Sequence, residues 1–228
     1  MRATINLFNS DCLPAMRKMA DNQYGLSIVD VPYGIGADKM TLGNAKAKIY
    51  RGAKEWDNKA PAVGYFNELQ RISQNQIIWG ANNFVETFHI NSRGWIVWDK
   101  GTGDNDYSDG ELAWTSFDRV LKIFKKSWVG ANAKDGHKRI HICQKPVALY
   151  KWLLKNYAKP GDKILDTHFG SLSIGIACWD YGYSLDAYEI DKDYFEAGKK
   201  RLDVHRAQLQ INHETRNEKE RIKVLRNN

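Results

Sequence analysis

Cysteine is scarce in this chain: Cys12, Cys143 and Cys178 are the three present, each in or beside an apolar run. An odd number argues against a disulfide framework, and the spacings match no metal-binding pattern. Buried free thiols are the expectation. The six histidines do not gather into a ligand set either, so no metal site is expected. No apolar run is long enough to cross a bilayer, and the N-terminus has no secretory pattern. A cytoplasmic protein with no membrane partner is the expectation. The Gly-x-Gly-x-x-Gly fingerprint of dinucleotide binding is also missing, which excludes the usual pyrophosphate cradle.

What remains is a basic, globular composition. Of 228 residues 43% are hydrophobic, enough for one domain with a good core. The formal net charge of +7 suits a polyanionic partner, and equally a solvated basic face.

One short stretch organises the rest. Gly25-Leu26-Ser27-Ile28-Val29 is an apolar run that reads as a buried strand, and Asp30-Val31-Pro32-Tyr33-Gly34 follows it. Open α/β sheets bind ligands beyond the carboxyl ends of such strands. A carboxylate there accepts one N–H of a planar amino group, a backbone carbonyl accepts the other, and an aromatic ring stacks on the base. The same letters also spell an ordinary strand-to-turn junction with a capping Asp and a turn Pro.

A second unit lies far along the chain. Lys163-Ile164-Leu165-Asp166 reads as a strand, Thr167-His168-Phe169-Gly170-Ser171-Leu172-Ser173 as a small-residue loop, and Ile174 to Tyr181 as a helix broken by Gly182. Ser184 to Glu189 is the next strand, and Glu189 stands about 20 residues past the loop, where a ribose-binding carboxylate belongs. The plain alternative is a structural βαβ segment. Between the two units, His141-Ile142-Cys143-Gln144-Lys145-Pro146 precedes an amphipathic helix from Val147 to Leu154, whose start offers free N–H groups and a partial positive charge.

The remaining elements are ordinary. Residues 4–8 alternate as a strand, and Asp11-Cys12 open a helix over 13–19. A helix is expected over 61–76, with Val63, Phe66, Leu69 and Ile72 on one face. Strands are expected at 77–80 and 94–99, a short helix beginning within 108–116, a strand or strand pair in 119–128, and a helix over 191–204. The tail, 205–228, is charged and helical or frayed; a solvated terminus and a dimer element both fit it.

These motifs together resemble the β-class amino-group DNA methyltransferases. Asp30-Val31-Pro32-Tyr33 resembles motif IV, usually Asp-Pro-Pro-Tyr; Gln144-Lys145-Pro146 resembles the end of motif X; the loop after Asp166 resembles motif I. Their order along the chain is that of the β class, and the resemblance spans roughly residues 5–205. It implies a Rossmann-like α/β fold dependent on S-adenosylmethionine: a mixed sheet with helices on both faces, circularly permuted. In this family Asp30, Val31, Pro32 and Tyr33 would be catalytic. Val31 replaces a proline, but its carbonyl persists, and a residue before proline stays extended. The cofactor would be held by Asp11, Cys12, Gln144, Lys145, Pro146, Asp166, Thr167, His168, Phe169, Gly170, Ser171, Ser173, Glu189, Ile190 and Asp191, with Lys145 beside its carboxylate. Asp11 serves equally as a helix-start residue favoured by the dipole. Leu172 stands where the family often has glycine, and its side chain would either obstruct the cofactor or point inward.

The implied substrate is adenine in double-stranded DNA, methylated at N6. An N4-cytosine or RNA-adenine enzyme, or a non-catalytic nucleic-acid-binding relative, uses the same scaffold. Residues 101–140 would form an inserted target-recognition region within the one domain, 1–228. Phosphate contacts are expected from Lys39, Lys46, Lys48 and Arg51 in the first basic stretch and from Arg119, Lys122, Lys125, Lys126, Lys138 and Arg139 in the second. Solvated loops and faces would have the same composition.

Overall fold

The computed structural model describes residues 3–36, 57, 59–88, 93–102, 108–128, 140, 141 and 143–226, with side chains as far as residue 211. Lys39, Lys46, Lys48, Arg51, Lys138 and Arg139 lie outside the described residues.

The elements run β1 (Ile5–Phe8), α1 (Cys12–Met16), β2 (Leu26–Val29), α2 (Val63–Ile72), β3 (Gln76–Trp79), β4 (Trp95–Asp99), β5 (Gly110–Thr115), β6 (Lys122–Lys125), α3 (Val147–Tyr157), β7 (Lys163–Asp166), α4 (Ser173–Tyr181), β8 (Ser184–Tyr188) and α5 (Lys192–Arg226). The strands form an 8-stranded sheet in the order β1-β8-β7-β2-β3-β5-β4-β6. All neighbouring pairs are parallel except those made by β5, which runs antiparallel to β3 and β4.

The sequence reason is visible strand by strand. β2 and β3 are buried throughout, as parallel central strands are when helices cover both faces. Ile77 and Trp79 face one core, shared with Leu149, Leu153, Ile174 and Ile176 of α3 and α4. Ile78 faces the other, shared with Met16 of α1 and Phe66 and Leu69 of α2. Each fully buried aliphatic or aromatic side chain contributes about 1.5–3 kcal/mol of transfer free energy, so the layers rest chiefly on these two stripes. Local signals set the helix ends: Asp11 caps α1 by accepting from the Leu13 N–H, and Gly182, at φ 79°, stops α4.

Several expectations change. Residues 110–115 are the strand β5, not the start of a helix: Ala113 and Trp114 pack into the sheet between Trp79 and Trp95, and tertiary pairing outweighs local propensity. Helix α2 is shorter than expected, and Val63, at its first turn, is exposed while Tyr65 takes the buried place. The final helix does not stop near residue 204 but continues to Arg226. Within the stretch expected to form the target-recognition insert, β5 and β6 are integral strands of the central sheet.

Chain order and sheet order are permuted. The last strands in sequence, β7 and β8, sit inside the sheet, and β7 lies beside β2. The order turns back at β7 and β2, which makes a crevice beyond their carboxyl ends the natural ligand site.

Candidate active site

The register places the two distant acids together at one end of the sheet. Ser27 pairs with Leu165, and Leu165 with Asp186. Asp30 and Glu189 each follow three residues later on parallel strands, so both stand at the carboxyl edge.

Asp30 is held on both oxygens. The Tyr33 hydroxyl donates to Oδ1 at 2.8 Å, and the Lys145 ammonium donates to Oδ2 at 2.5 Å. Lys145 is 2% exposed and also contacts Glu111 Oε2 at 2.8 Å, while Lys100 reaches Glu111 Oε1 at 2.7 Å. The result is a chain of alternating charge: Lys100, Glu111, Lys145, Asp30. Burial pushes Asp30 above the ordinary carboxylate range, and Lys145 opposes that rise. For Glu111 burial works in the same direction, but Lys145 and Lys100 outweigh it and bring the group down to about 2. Lys145 is disfavoured as a cation by burial, yet its two carboxylates hold it charged. Lys145, expected beside a cofactor carboxylate, is here paired with the carboxylates of Asp30 and Glu111. A buried ammonium costs too much to leave unpaired.

The motif IV turn is fixed from below. Asp57 accepts from the Tyr33 and Gly34 N–H groups at 2.6 and 3.0 Å. The Tyr33 ring lies against Gly80, whose φ of 70° and lack of a Cβ allow that approach. Val31, where motif IV usually has proline, is buried in the second core, so its side chain adds packing.

The second half of the site is a carboxylate with room to bind. Glu189 takes one backbone N–H on each oxygen, from Gly170 at 2.9 Å and Asp191 at 2.8 Å, which leaves lone pairs for hydroxyl donors. Ile190 beside it is 64% exposed, an apolar surface at a site otherwise built from polar groups. Asn9 donates to the Glu189 and Ile190 carbonyls at 2.8 and 3.2 Å and fixes that turn. The start of α4 lies beside this carboxylate's loop, and no described side chain makes a capping hydrogen bond there. These features fit S-adenosylmethionine: an acid for the ribose hydroxyls, an apolar face for the adenine, and a helix start for the amino-acid end.

The other expected cofactor residues divide. Asp166, at the end of β7, is fully buried, and burial raises it to about 8, with the His168 N–H opposing and Asp30 and Glu189 adding to the rise. His168 is driven down to about 4 by burial and is neutral near pH 7. Thr167 is engaged with Tyr65 at 2.5 Å and with His168 at 2.9 Å. Phe169 is a core residue against Phe195. Ser173 donates to the Lys145 carbonyl at 2.7 Å and accepts from Arg201, which also binds the Ser171 carbonyl. Those serines tie the loop after β7 to the turn before α3. Gln144 closes that turn by accepting from the Ile140 N–H, and Pro146, buried, is the residue before α3. Asp11 is the α1 cap; Cys12 is buried, and burial raises its thiol to about 12. Asp191 caps α5 through the Asp193 and Tyr194 N–H groups.

The four described basic candidates lie at both ends of the sheet. Arg119 follows β5 at the amino end of the sheet, donating to the Asn156 carbonyl and stacking on Phe117 and Tyr157. Lys122 begins β6 at that same end. Lys125 and Lys126 finish β6 at the Asp30 end, Lys125 lying 3.7 Å from Asp99. Glu111, Lys100, Asp57, Asn9 and Arg201 were not legible as site residues, because none belongs to a motif; only the antiparallel turn of β5 delivers Glu111. A polar cleft of about 650 Å³ between Gln70, Gln76, Arg93 and Trp114 opens at the opposite end of the sheet and shares no residue with this site. Among the described residues no group of His, Cys, Asp and Glu could hold a metal ion, and no helix is long and apolar enough to cross a membrane.

The comparisons agree with this geometry. A family model described as DNA methylase matches residues 73–200. The chain is 23% identical to the type II methyltransferase M.HpaI of Haemophilus parainfluenzae over 237 aligned residues, covering 86% of this chain and 74% of that one. A local match of 38% over 64 residues relates it to the DNA adenine methyltransferase YhdJ of Escherichia coli K12, 28% of this chain and 22% of that one. Among solved structures, M1.HpyAVI in complex with SAM aligns with a TM-score of 0.56 at 18% identity over 87% of this chain and 99% of that one. The PvuII cytosine-N4-specific DNA methyltransferase aligns at 0.57 and 11% identity, over 89% and 87%. The family match covers more than half of the chain, so this chain belongs to the amino-group DNA methylases, a family of S-adenosylmethionine-dependent enzymes.

Proposed function

We propose that the protein is a DNA adenine-N6 methyltransferase. The observation that carries this reading is the Asp30-Val31-Pro32-Tyr33 turn, held beside the Glu189 carboxylate on one edge of the sheet. The aspartate at the head of that turn and the local likeness to an adenine methyltransferase favour adenine over cytosine.

When bound, S-adenosylmethionine supplies an electrophilic methyl group. The chain's own residues do the rest. The target base leaves the duplex stack, at a cost of a few kcal/mol that pocket contacts offset. The Asp30 carboxylate and the Val31 carbonyl accept the two amino N–H bonds, which fixes the nitrogen lone pair in one direction. Tyr33 supplies the stacking face, after its hydroxyl gives up Asp30 Oδ1 to the base. Positioning carries most of the rate. The nitrogen attacks before it loses a proton, so Asp30 need be only a modest base; it takes the proton the amino group sheds. Lys125 and Lys126, at the Asp30 end, are the described lysines suited to phosphates. Double-stranded DNA is the partner, and Glu189, Ile190 and the α4 start hold the cofactor.

The test is direct. Modified-base sequencing of DNA from cells expressing the protein should show N6-methyladenine at a short recurrent sequence, and Asp30→Ala should abolish it while calorimetry still detects S-adenosylmethionine binding. N4-methylcytosine as the product would replace adenine by cytosine in this reading, and full turnover by Asp30→Ala would remove Asp30 from its role.

A further inference from the structure

Glu111 belongs to no motif, yet it shapes the charge around Asp30. The Lys145 ammonium is shared, 2.5 Å from Asp30 Oδ2 and 2.8 Å from Glu111 Oε2. Its third neighbour is the Tyr33 hydroxyl at 3.3 Å, and the Trp79 ring lies 5.2 Å away. Behind Glu111 stands Lys100 at 2.7 Å, completing an alternating row that ends at the catalytic carboxylate. The row contains two cations and two anions, so it is neutral as a whole. A buried Asp30 alone would be driven towards its protonated form, which cannot accept on both oxygens. A Lys145 with one partner could swing away with its long side chain; two carboxylates on different strands pin it.

We propose that Glu111 is a positioning residue for methyl transfer: held by Lys100 on β4, it fixes the Lys145 ammonium against Asp30, so that Asp30 stays ionised and one of its oxygens stays aimed at the incoming amino group. This assignment rests on the methyltransferase reading. It gives β5 a part in the chemistry. Among the described residues the groups that bear on Asp30 and Lys145 include Tyr33, Lys100, Glu111, Cys143, Tyr150 and Asp166, and of these Glu111 touches Lys145 with a full negative charge, as Asp30 does.

Three variants test it: Glu111→Gln, Lys145→Met and the double substitution, each checked for S-adenosylmethionine affinity by calorimetry and for single-turnover methylation of duplex DNA across pH. Glu111→Gln should lower the transfer rate ~10-fold and Lys145→Met ~100-fold, with cofactor affinity changed less than ~3-fold. Adding Glu111→Gln to Lys145→Met should bring no further loss, because Glu111 helps Asp30 only through the ammonium, and its own charge, acting directly on Asp30, raises the Asp30 pKa. Lys145→Met should also move the acid limb of the rate profile upward by about one pH unit, since loss of a neighbouring cation raises a carboxyl pKa. A wild-type rate in Glu111→Gln, or a full multiplicative loss in the double variant, would overturn the proposal. If the wild-type chain binds the cofactor but methylates no DNA, the methyltransferase reading fails on its own. Nitrogen-15 spectra of the lysine ammonium groups then decide: a slowly exchanging Lys145 signal that disappears in Glu111→Gln supports the pinning, and one unaffected by the substitution refutes it.

Discussion

Leu172 offers the sharpest quantitative test of the cofactor loop. It is the N-cap of α4 in the left-handed region, at φ 56° and ψ 32°, where a non-glycine residue costs about 1–2 kcal/mol. Its side chain is 0% exposed and turns into the core, away from the crevice. Two glycines make room for it: a Cβ on Gly175 would come within 2.7 Å of Leu172 Cγ, and one on Gly198 within 3.1 Å of Leu172 Cβ. Leu172→Gly therefore relieves strain but empties a packed site. Removing a buried Leu side chain costs about 2–5 kcal/mol, strain relief returns about 1–2, and the added freedom of glycine in the unfolded chain takes back about 0.5–1. The expected net loss is about 2–4 kcal/mol, a fall in Tm of roughly 5–15 °C for a chain of this size. Leu172→Ala should lose a similar amount, because it empties the site and keeps the strain. Thermal melts followed by circular dichroism measure both, and calorimetry should find S-adenosylmethionine affinity within about threefold of the wild type for either variant that remains folded. A Leu172→Gly protein that melts higher than the wild type, or binds the cofactor tenfold more tightly, would mean that the side chain obstructs the crevice and that this reasoning is wrong.

Other perturbations follow from single contacts. Gly80→Ala puts a methyl group on the Tyr33 ring at a backbone angle of φ 70°; it should cost about 1–3 kcal/mol of stability and most of the transfer rate, read by melting and by turnover. Glu189→Gln should weaken S-adenosylmethionine binding about tenfold or more in calorimetry, with little change in melting, because it removes the charge from the acceptor offered to the ribose hydroxyls. Asp166 has its folded pKa raised from 3.8 to about 8 by burial. The folded chain thus holds a proton that the unfolded chain has lost between those values, so stability falls as pH rises through this window. Asp166→Asn should flatten that fall in denaturant titrations at pH 5 and pH 8; an unchanged slope would mean that Asp166 is ionised in the folded protein.

Much of the architecture was readable because its signals are local and repeated. Short runs rich in apolar residues at 26–29 and 163–165, each followed by an acid, announced central strands, and the motif order announced the permutation. The strand at 110–115 was missed for a physical reason. Gly110, Glu111 and Leu112 alternate poorly, and it is pairing with Asp99, Trp98 and Val97 of β4, continued from Ala113 onward by β3, that decides the strand. Site residues divide in the same way. Asp30, Tyr33 and Glu189 lie in turns that follow strands, where sequence proximity and spatial proximity coincide. Thr167, Phe169 and Ser173 were assigned to the cofactor by their place in a motif, yet their side chains are engaged in the scaffold, with Tyr65, Phe195 and Arg201. Lys145 was assigned by motif to the cofactor's carboxylate; in the structure its carboxylate partners come from positions 30 and 111.

The reversed strand explains both what was missed and why the basic run divides. In a parallel sheet only residues after each strand reach the ligand edge. Running the other way, β5 brings its first residues there, so Glu111 meets Lys100 and Lys145, and carries its last, Thr115, to the far end. The chain must then travel the height of the sheet again through β6. Arg119 and Lys122 consequently lie at the far edge, with Arg119 bound to Asn156, and the chain regains the Asp30 edge only at Lys125 and Lys126. A duplex presenting a flipped base to Asp30 would meet the latter pair and not the former. Basic composition across 119–126 is thus one run in sequence that reaches two opposite ends of the sheet in space, Arg119 and Lys122 at the far end and Lys125 and Lys126 at the Asp30 end.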